Sequence, residues 1–95
     1  MPAYMIGRIN VTDPGQYKNY VAATPAIIEK FGGRFIARGG ESVTLEGPEE
    51  NRRVVIVEFP ALDNIREFYA SPEYKEAMKL REGAAEMELL GVAGV

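Results

Sequence analysis

The sequence contains no cysteine and no histidine, and each absence excludes a class of chemistry. Without cysteine there is no disulfide, no thiolate metal site and no thiol nucleophile. Without histidine the chain lacks the commonest general base, the commonest zinc ligand and the usual proximal haem ligand. We therefore expect no metal and no other cofactor. Any chemistry must use carboxylates, arginine, lysine, tyrosine, hydroxyls or backbone groups.

Long apolar runs and an excess of positive charge are missing as well. No apolar run approaches the length that spans a membrane, and the first residues lack the basic-then-apolar layout of a signal peptide. The formal net charge is −3, whereas a nucleic-acid-binding protein typically carries a basic stripe. The sequence thus predicts a cytoplasmic protein that binds neither nucleic acid nor membranes.

The composition that remains is that of an ordinary globular domain. Hydrophobic residues make up 46% of the chain and charged residues 26%, which excludes a disordered chain. A length of 95 residues supports one core, so we expect residues 1–95 to form a single domain.

The most apolar stretch, residues 53–60, reads Arg-Val-Val-Ile-Val-Glu-Phe-Pro. A nearly continuous apolar run of this length is typical of a central strand that is covered on both faces. Glu58 lies within it, and a carboxylate in a buried strand is costly unless a cation or several donors meet it. We therefore expect a partner for Glu58 on a neighbouring strand.

Alternation and helical spacing divide the chain into strands and helices. Strands are predicted at residues 3–11, 34–40, 53–60 and 86–95, with a short β segment at 42–45 as an edge extension. Helices are predicted from Pro14 to the pair Gly32-Gly33 and over 62–70, with a restart after Ser71. The order βαββαβ predicts an α+β, ferredoxin-like sandwich with an antiparallel sheet of order 4-1-3-2 and both helices on one face.

Polar residues mark the beginnings of the helices. Asp13 suits the N-cap of the first helix, and the Gln16 side chain falls where it can reach back to that cap. Ser71 suits the N-cap of the restarted helix because Pro72 follows at the first helical position.

Two helices cover only one side of a four-stranded sheet, and the other side carries apolar residues. These are Ile6, Ile36, Val54 and Ile56. Together they form too apolar a patch to face water. We expect a second copy of the chain to cover them, sheet against sheet, which makes the protein a homodimeric α+β barrel.

Three stretches of the chain resemble one protein family. They are Gly32-Gly33-Arg34-Phe35-Ile36-Ala37-Arg38-Gly39-Gly40, Val57-Glu58-Phe59-Pro60 and Phe68-Tyr69-Ala70-Ser71-Pro72-Glu73-Tyr74, with Arg81 beyond them. Together they are similar to the domain-of-unknown-function 1330 (DUF1330) family over nearly the whole chain. The resemblance implies a dimeric ferredoxin-like barrel of about one hundred residues, and it implies no established activity.

Alternation places four polar side chains, Arg8, Asn10, Arg38 and Glu58, on the barrel face of the sheet. In one interpretation they form a pocket for a small acidic or enolisable metabolite. Arg38 and Glu58 are then the catalytic pair, which grips the anion and moves a proton, while Arg8 and Asn10 bind the ligand. In the other interpretation Glu58 forms an internal salt bridge with Arg38 or Arg8 that only fixes the strand register.

Tyr20, Tyr69 and Arg81 complete the set of candidate ligand-binding residues. Arg81 lies one helical turn beyond Met78, from where it can reach a ligand at the barrel mouth together with Tyr69 or Tyr74. The alternative is that the tyrosines are core residues with their hydroxyls at the rim, and that Arg81 packs its stem on the core.

Three functions therefore stay open on the sequence alone. The first is a cofactor-free enzyme that transfers a proton on a small acidic or enolisable compound. The second is a sensing module that holds such a metabolite without chemistry. The third is a structural dimer whose interior is filled by its own side chains.

Overall fold

The computed structural model describes all 95 residues, as one sheet and one layer of helices. Its elements in chain order are β1 (Ala3–Val11), α1 (Pro14–Lys30), β2 (Arg34–Arg38), β3 (Arg53–Phe59), α2 (Leu62–Ala70), α3 (Pro72–Lys79) and β4 (Ala85–Ala93). None of the helices combines the length and hydropathy that crossing a bilayer requires.

The four strands form one antiparallel sheet in the order β2-β3-β1-β4, which confirms the predicted order 4-1-3-2 and the ferredoxin-like fold. The most apolar stretch is central as predicted, because β3 pairs with β1 on one side and with β2 on the other. The two edges of the sheet are therefore β2 and β4.

The hydrophobic core lies between the helices and one face of the sheet. Its largest fully buried side chains are Tyr74, Phe59, Phe68 and Val57. Phe68 and Tyr74 come from two different helices, and their ring centroids are 4.5 Å apart. The Phe68 ring also lies 5.6 Å from that of Phe59 on β3, so buried aromatic side chains connect the helices to the sheet. Burial of one such side chain contributes about 1.5–3 kcal/mol.

Ser71 separates α2 from α3 and holds Tyr74 in place, as the predicted N-cap. The buried Ser71 hydroxyl accepts a hydrogen bond from the Tyr74 backbone N–H at 3.1 Å and donates one to the Phe68 carbonyl at 2.7 Å. One short side chain thus ends the first helix and begins the second.

Gln16 does not reach back to the cap of its own helix, so that part of the prediction is wrong. The Asp13 side chain accepts from the Gln16 backbone N–H at 3.2 Å, as an N-cap does. The Gln16 side-chain amide instead donates to the carbonyl oxygens of Leu80 and Glu82, at 3.3 and 2.8 Å. It therefore ties the start of α1 to the turn after α3.

A β-bulge in β2 changes the face on which Arg38 lies. Phe35 pairs with Val57, but the next pair along the ladder is Ala37 with Ile56, so the pairing skips Ile36. The extra residue reverses the alternation, and Arg38 shares the helix-covered face with Phe35. The prediction that Arg38 lies on the barrel face with Glu58 is therefore wrong.

The predicted β segment at residues 42–45 is also absent. Residues 39–52 form an irregular connection between β2 and β3, in which Val43 and Leu45 are exposed. Alternating apolar residues favour a strand only where a neighbouring strand supplies hydrogen bonds, and no neighbour is in place beyond the end of β2.

No helix covers the second face of the sheet, which we call the open face. The half-buried or exposed apolar side chains on it are Tyr4, Ile6, Ile36, Val54, Ile56, Leu90 and Val92. Leu90 is 58% exposed and Val92 is 44% exposed, even though they lie beside the apolar residues of β1. An apolar surface of this extent is typical of an interface.

Candidate functional site

A cavity of about 50 Å³ lies between α1 and the helix-covered face of the sheet, and we call it the central cavity. It is lined by Met5, Gly7, Ile9, Tyr17, Tyr20, Val21, Thr24, Ile28, Phe35, Arg38, Arg53, Val55, Val57, Phe68, Met87 and Leu89. Gly7 helps to keep it open, because a Cβ atom there would lie 3.0 Å from Leu89 Cδ2. A cavity needs about 10–15 Å³ to hold one water, so this one has room for a small polar group.

Two arginines, Arg38 and Arg53, line this otherwise apolar cavity without any carboxylate. Arg38 donates to the Val21 carbonyl at 3.2 Å, and its guanidinium lies 4.2 Å from the centre of the Phe35 ring. Nε of Arg53 is buried and has no hydrogen-bond partner. Neither arginine forms a salt bridge, so the cavity holds positive charge that the chain itself does not neutralise.

Gly39 makes room for the Arg53 side chain. Its φ of +70° lies in the left-handed region, and a Cβ atom there would be 2.5 Å from Arg53 Nη1. Only glycine satisfies both the backbone conformation and the close approach.

Tyrosine hydroxyls supply the neutral donors of the cavity. Tyr17 stacks on Tyr20 with ring centroids 5.5 Å apart. Burial raises the pKa of Tyr17, and the positive charges of Arg53, Arg81 and Arg38 partly oppose that rise. Burial, followed by the neighbouring Tyr74, also raises the pKa of Tyr20. Both hydroxyls are therefore protonated near neutral pH and can donate to an anion.

A second space of about 240 Å³, the side cleft, lies beside the central cavity. It is lined by Met5, Ile65, Tyr69, Arg81, Met87, Leu89, Leu90 and Gly91, again with no carboxylate. Arg81 forms no salt bridge, and its buried Nε has no hydrogen-bond partner. Its guanidinium lies 5.5 Å from the centre of the Tyr20 ring.

Glu58 lies on the open face and pairs with Arg34 rather than with Arg38 or Arg8. Arg34 is its cross-strand neighbour, and the Glu58 Oε1 atom lies 3.1 Å from Arg34 Nε and 3.0 Å from Nη2. The Arg34 side chain is 73% exposed. The salt-bridge interpretation of Glu58 is thus correct in kind, but both predicted partners are wrong.

The structure divides the predicted site residues among three places. Arg38 and Tyr20 line the central cavity, whereas Tyr69 and Arg81 line the side cleft. Glu58, Arg8 and Asn10 lie on the open face, where Arg8 is opposite Glu88 and Asn10 is opposite Glu86. The single predicted constellation is therefore not formed within one chain.

Arg53 and Tyr17 are two polar residues of the central cavity that the sequence analysis did not assign to a site. Alternation along β3 was sufficient to find Arg53, because every second residue of a strand lies on the same face and Arg53 therefore shares the helix-covered face with Val55 and Val57. Tyr17 gives no such signal, since a tyrosine on the inward stripe of a helix is equally expected in a core without a cavity.

No group of three or more acidic side chains lies close enough together to hold a metal ion. The positive charges of both spaces instead suit an anionic group. Arginine presents several N–H donors in a planar fork, which matches a carboxylate or an enolate oxygen.

Comparisons with known proteins agree with this geometry at the level of family and fold. The family model described as Domain of unknown function (DUF1330) matches residues 2–95. A search of curated protein sequences finds no match. The resemblance found in the sequence is thereby confirmed over essentially the whole chain.

Solved structures share the fold over nearly all of the chain. The RPA0582 protein of unknown function from Rhodopseudomonas palustris is 25% identical, with a TM-score of 0.75 over 99% of this chain and 82% of its own. SnoaB from Streptomyces nogalater, a cofactor-independent oxygenase, is 18% identical, with a TM-score of 0.70 over 99% and 93%. A dimeric ferredoxin-like protein of unknown function from Jannaschia sp. CCS1 is 11% identical, with a TM-score of 0.64 over 99% and 100%.

Proposed function

Because this chain belongs to the DUF1330 family, which carries no assigned activity, we propose a function from its geometry: it binds a small acidic or enolisable metabolite between the sheet and the helices of a homodimer. The observation that carries the proposal is the pair Arg38 and Arg53 in an apolar cavity that contains no carboxylate. Within this proposal the anionic group of the ligand lies against these two arginines.

The electrostatic argument is that a buried guanidinium N–H without an acceptor is destabilising; Arg38 is exposed and Arg53 is half-buried, with its Nε atom buried. Arg53 Nε is buried and unpartnered, and Arg38 uses only one of its N–H donors, on the Val21 carbonyl. A ligand carboxylate or enolate supplies the missing charge and accepts the remaining donors, and such charge-assisted bonds are the stronger ones. The apolar walls then suit a short hydrocarbon body.

Conversion of the ligand is the further step of this proposal. Two arginines stabilise the negative charge of an enolate, and the Tyr17 hydroxyl is a donor for its oxygen. Because no carboxylate lines the cavity, a water molecule from the solvent accepts the proton that leaves the ligand carbon. SnoaB is described as a cofactor-independent oxygenase, so a neighbour with this fold carries out chemistry without a cofactor. The Glu58–Arg34 pair on the open face favours a structural role for Glu58, in line with the alternative of a ligand-sensing dimer without catalysis.

The homodimer forms through the open face in this proposal. The Jannaschia protein is described as dimeric, which supports a dimer here. A second copy that packs sheet to sheet removes the exposed parts of Ile36, Leu90 and Val92 from water.

Calorimetric titration with butyrate and with its neutral analogue butyramide tests the binding proposal. We expect butyrate to bind and butyramide to bind much more weakly, because only butyrate neutralises the arginines. Arg38→Gln and Arg53→Gln are expected to weaken butyrate binding by about tenfold or more, since a charge-assisted hydrogen bond contributes about 1.5–3 kcal/mol. Lys18→Gln, on the exposed side of α1, is the charge-matched control.

Equal affinity for the acid and the amide, or unchanged binding in both arginine variants, contradicts the proposal. Enzyme and sensor are then separated with acetoacetate in D2O, by following hydrogen exchange at its central carbon with NMR. An enzyme accelerates this exchange above the spontaneous rate, and the acceleration is lost in Arg38→Gln. A sensor binds acetoacetate without changing the rate.

A further inference from the structure

We propose that the central cavity and the side cleft hold one elongated ligand, with an acidic group at Arg38 and Arg53 and a second oxygen acceptor at Arg81. This inference rests on the proposed function and names the class of ligand more closely. The proposed function requires only an acid that fills the central cavity. Here the same ligand also extends into the side cleft.

The partition between the two spaces consists of side chains. Met5, Met87 and Leu89 line both the central cavity and the side cleft. Two of the three are methionines, whose unbranched side chains change conformation more readily than other apolar residues. A shift of Met5 or Met87 therefore joins the volume of about 50 Å³ to that of about 240 Å³.

The arginines lie at opposite edges of the joined space. Arg38 belongs to the edge strand β2, and the cleft that contains Arg81 is lined by the other edge strand, β4. Arg81 itself lies in the turn between α3 and β4, and both Arg81 and Arg38 lie near enough to Tyr17 to lower the pKa of that tyrosine. A ligand with polar groups at its two ends and an apolar middle fits this separation of charge.

Arg81 has the neutral hydroxyls of Tyr74 and Tyr20 beside it but no carboxylate as a partner. Its Nε is buried without a partner, although the guanidinium lies beside the Tyr20 ring at 5.5 Å. No carboxylate lines the side cleft. The second oxygen of the ligand supplies the missing acceptor, as the first does at Arg38 and Arg53.

The Tyr20 and Tyr74 hydroxyls add a donor between the two spaces. Their oxygen atoms are 2.7 Å apart, so one hydroxyl donates its proton to the other. The proton of the accepting hydroxyl has no acceptor within this pair. The only other protein acceptor near the Tyr20 hydroxyl is the Met87 sulfur at 4.0 Å, which is weak. The free proton is thus available to a ligand that passes from one space to the other.

A comparison of adipate with hexanoate tests the inference, because the two acids share a chain length and differ in the second carboxylate. In calorimetric titrations we expect adipate to bind about tenfold more tightly or better. Arg81→Gln is expected to reduce the affinity for adipate to that for hexanoate, so that the difference between the two acids disappears. Arg38→Gln is expected to weaken both, and Lys18→Gln neither.

The outcomes separate this inference from the proposed function. If both acids bind equally well to the unmodified protein, the two-ended ligand is wrong, whereas hexanoate binding that depends on Arg38 keeps the proposed function. If neither acid nor butyrate binds, both proposals fail. Circular dichroism checks that Arg81→Gln is folded; should it not be, Arg81→Met is used, which keeps the apolar stem without the charge, and an unchanged ratio of the two affinities in that variant contradicts the inference.

Discussion

Arg38 donates a hydrogen bond to the carbonyl oxygen of Val21, 3.2 Å away, and so links the edge of the sheet to the middle of α1. Val21 lies one helical turn before Pro25, whose nitrogen carries no hydrogen, so this carbonyl has no partner inside the helix. The arginine side chain provides the missing donor. Because a guanidinium has five N–H groups, the same residue keeps donors for a ligand.

The first prediction is that Pro25 and Arg38 are energetically coupled. Pro25→Ala restores the helical N–H, and we expect it to raise the free energy of unfolding, since proline in a helix interior costs about 3 kcal/mol relative to alanine. Arg38→Gln is then expected to cost about 1 kcal/mol less in the Pro25→Ala background than in the natural sequence. Urea denaturation of the two single variants and the double variant measures the coupling. Strict additivity contradicts it.

The second prediction concerns Gly39 and the space it leaves for Arg53. Gly39→Ala is expected to destabilise the protein more than Gly47→Ala, although both glycines have positive φ, of +70° and +86°. At Gly47 the new methyl group meets nothing within 4 Å and costs only the backbone strain, about 1–2 kcal/mol. At Gly39 it also displaces the Arg53 guanidinium. Gly40→Ala, which has neither constraint, is the control, and equal effects at positions 39 and 47 contradict the prediction.

The sequence predicted the fold well because the fold depends on local periodicity. Alternation in β1 and the Ser71 cap between α2 and α3 each follow from a short stretch of residues, and the structure confirms both. The site was harder to predict because the bulge at Ile36 reverses the side of Arg38. Residues 42–45 alternate as a strand does, but no neighbouring strand lies beside them. The sequence alone does not show whether such a neighbour is present.

The third prediction is that Glu58→Gln leaves ligand binding unchanged. Glu58 and Arg34 form a partly exposed cross-strand pair on the face opposite the central cavity. Such pairs contribute about 0–1 kcal/mol, so we expect a small loss of the free energy of unfolding and the same affinity for butyrate. Urea denaturation and calorimetry check the two parts. Loss of binding in a folded Glu58→Gln variant favours the original interpretation of Glu58 and Arg38 as one pocket.

The fourth prediction is a loss of stability in alkaline solution. Burial raises the pKa of Tyr17 and of Tyr20 above the ordinary value of about 10. Above that pH the unfolded chain releases these protons while the folded chain keeps them, so the free energy of unfolding falls as the pH rises. The contribution is complete below about pH 10 and is lost progressively above it.

Tyr20→Phe removes one of the two titrating groups and provides the comparison. Its free energy of unfolding is expected to fall less steeply than that of the natural protein as the pH is raised past about 10. The slopes are compared rather than the absolute values, because the variant also loses the hydrogen bond to Tyr74. Parallel slopes in urea denaturation across this pH range contradict the prediction.

The last prediction is that a charge on the open face prevents dimer formation. Leu90 is 58% exposed on β4, so the single chain tolerates Leu90→Lys, whereas a sheet-to-sheet dimer buries an unpaired ammonium there. A two-fold interface contains the substitution twice, which doubles the penalty. Sedimentation equilibrium is expected to show a dimer for the natural protein and a monomer for Leu90→Lys.

Leu80→Lys makes the same change at a 37% exposed leucine at the end of α3, and we expect it to remain dimeric. A natural protein that is monomeric at micromolar concentration, or a dimeric Leu90→Lys variant, contradicts an interface at this face.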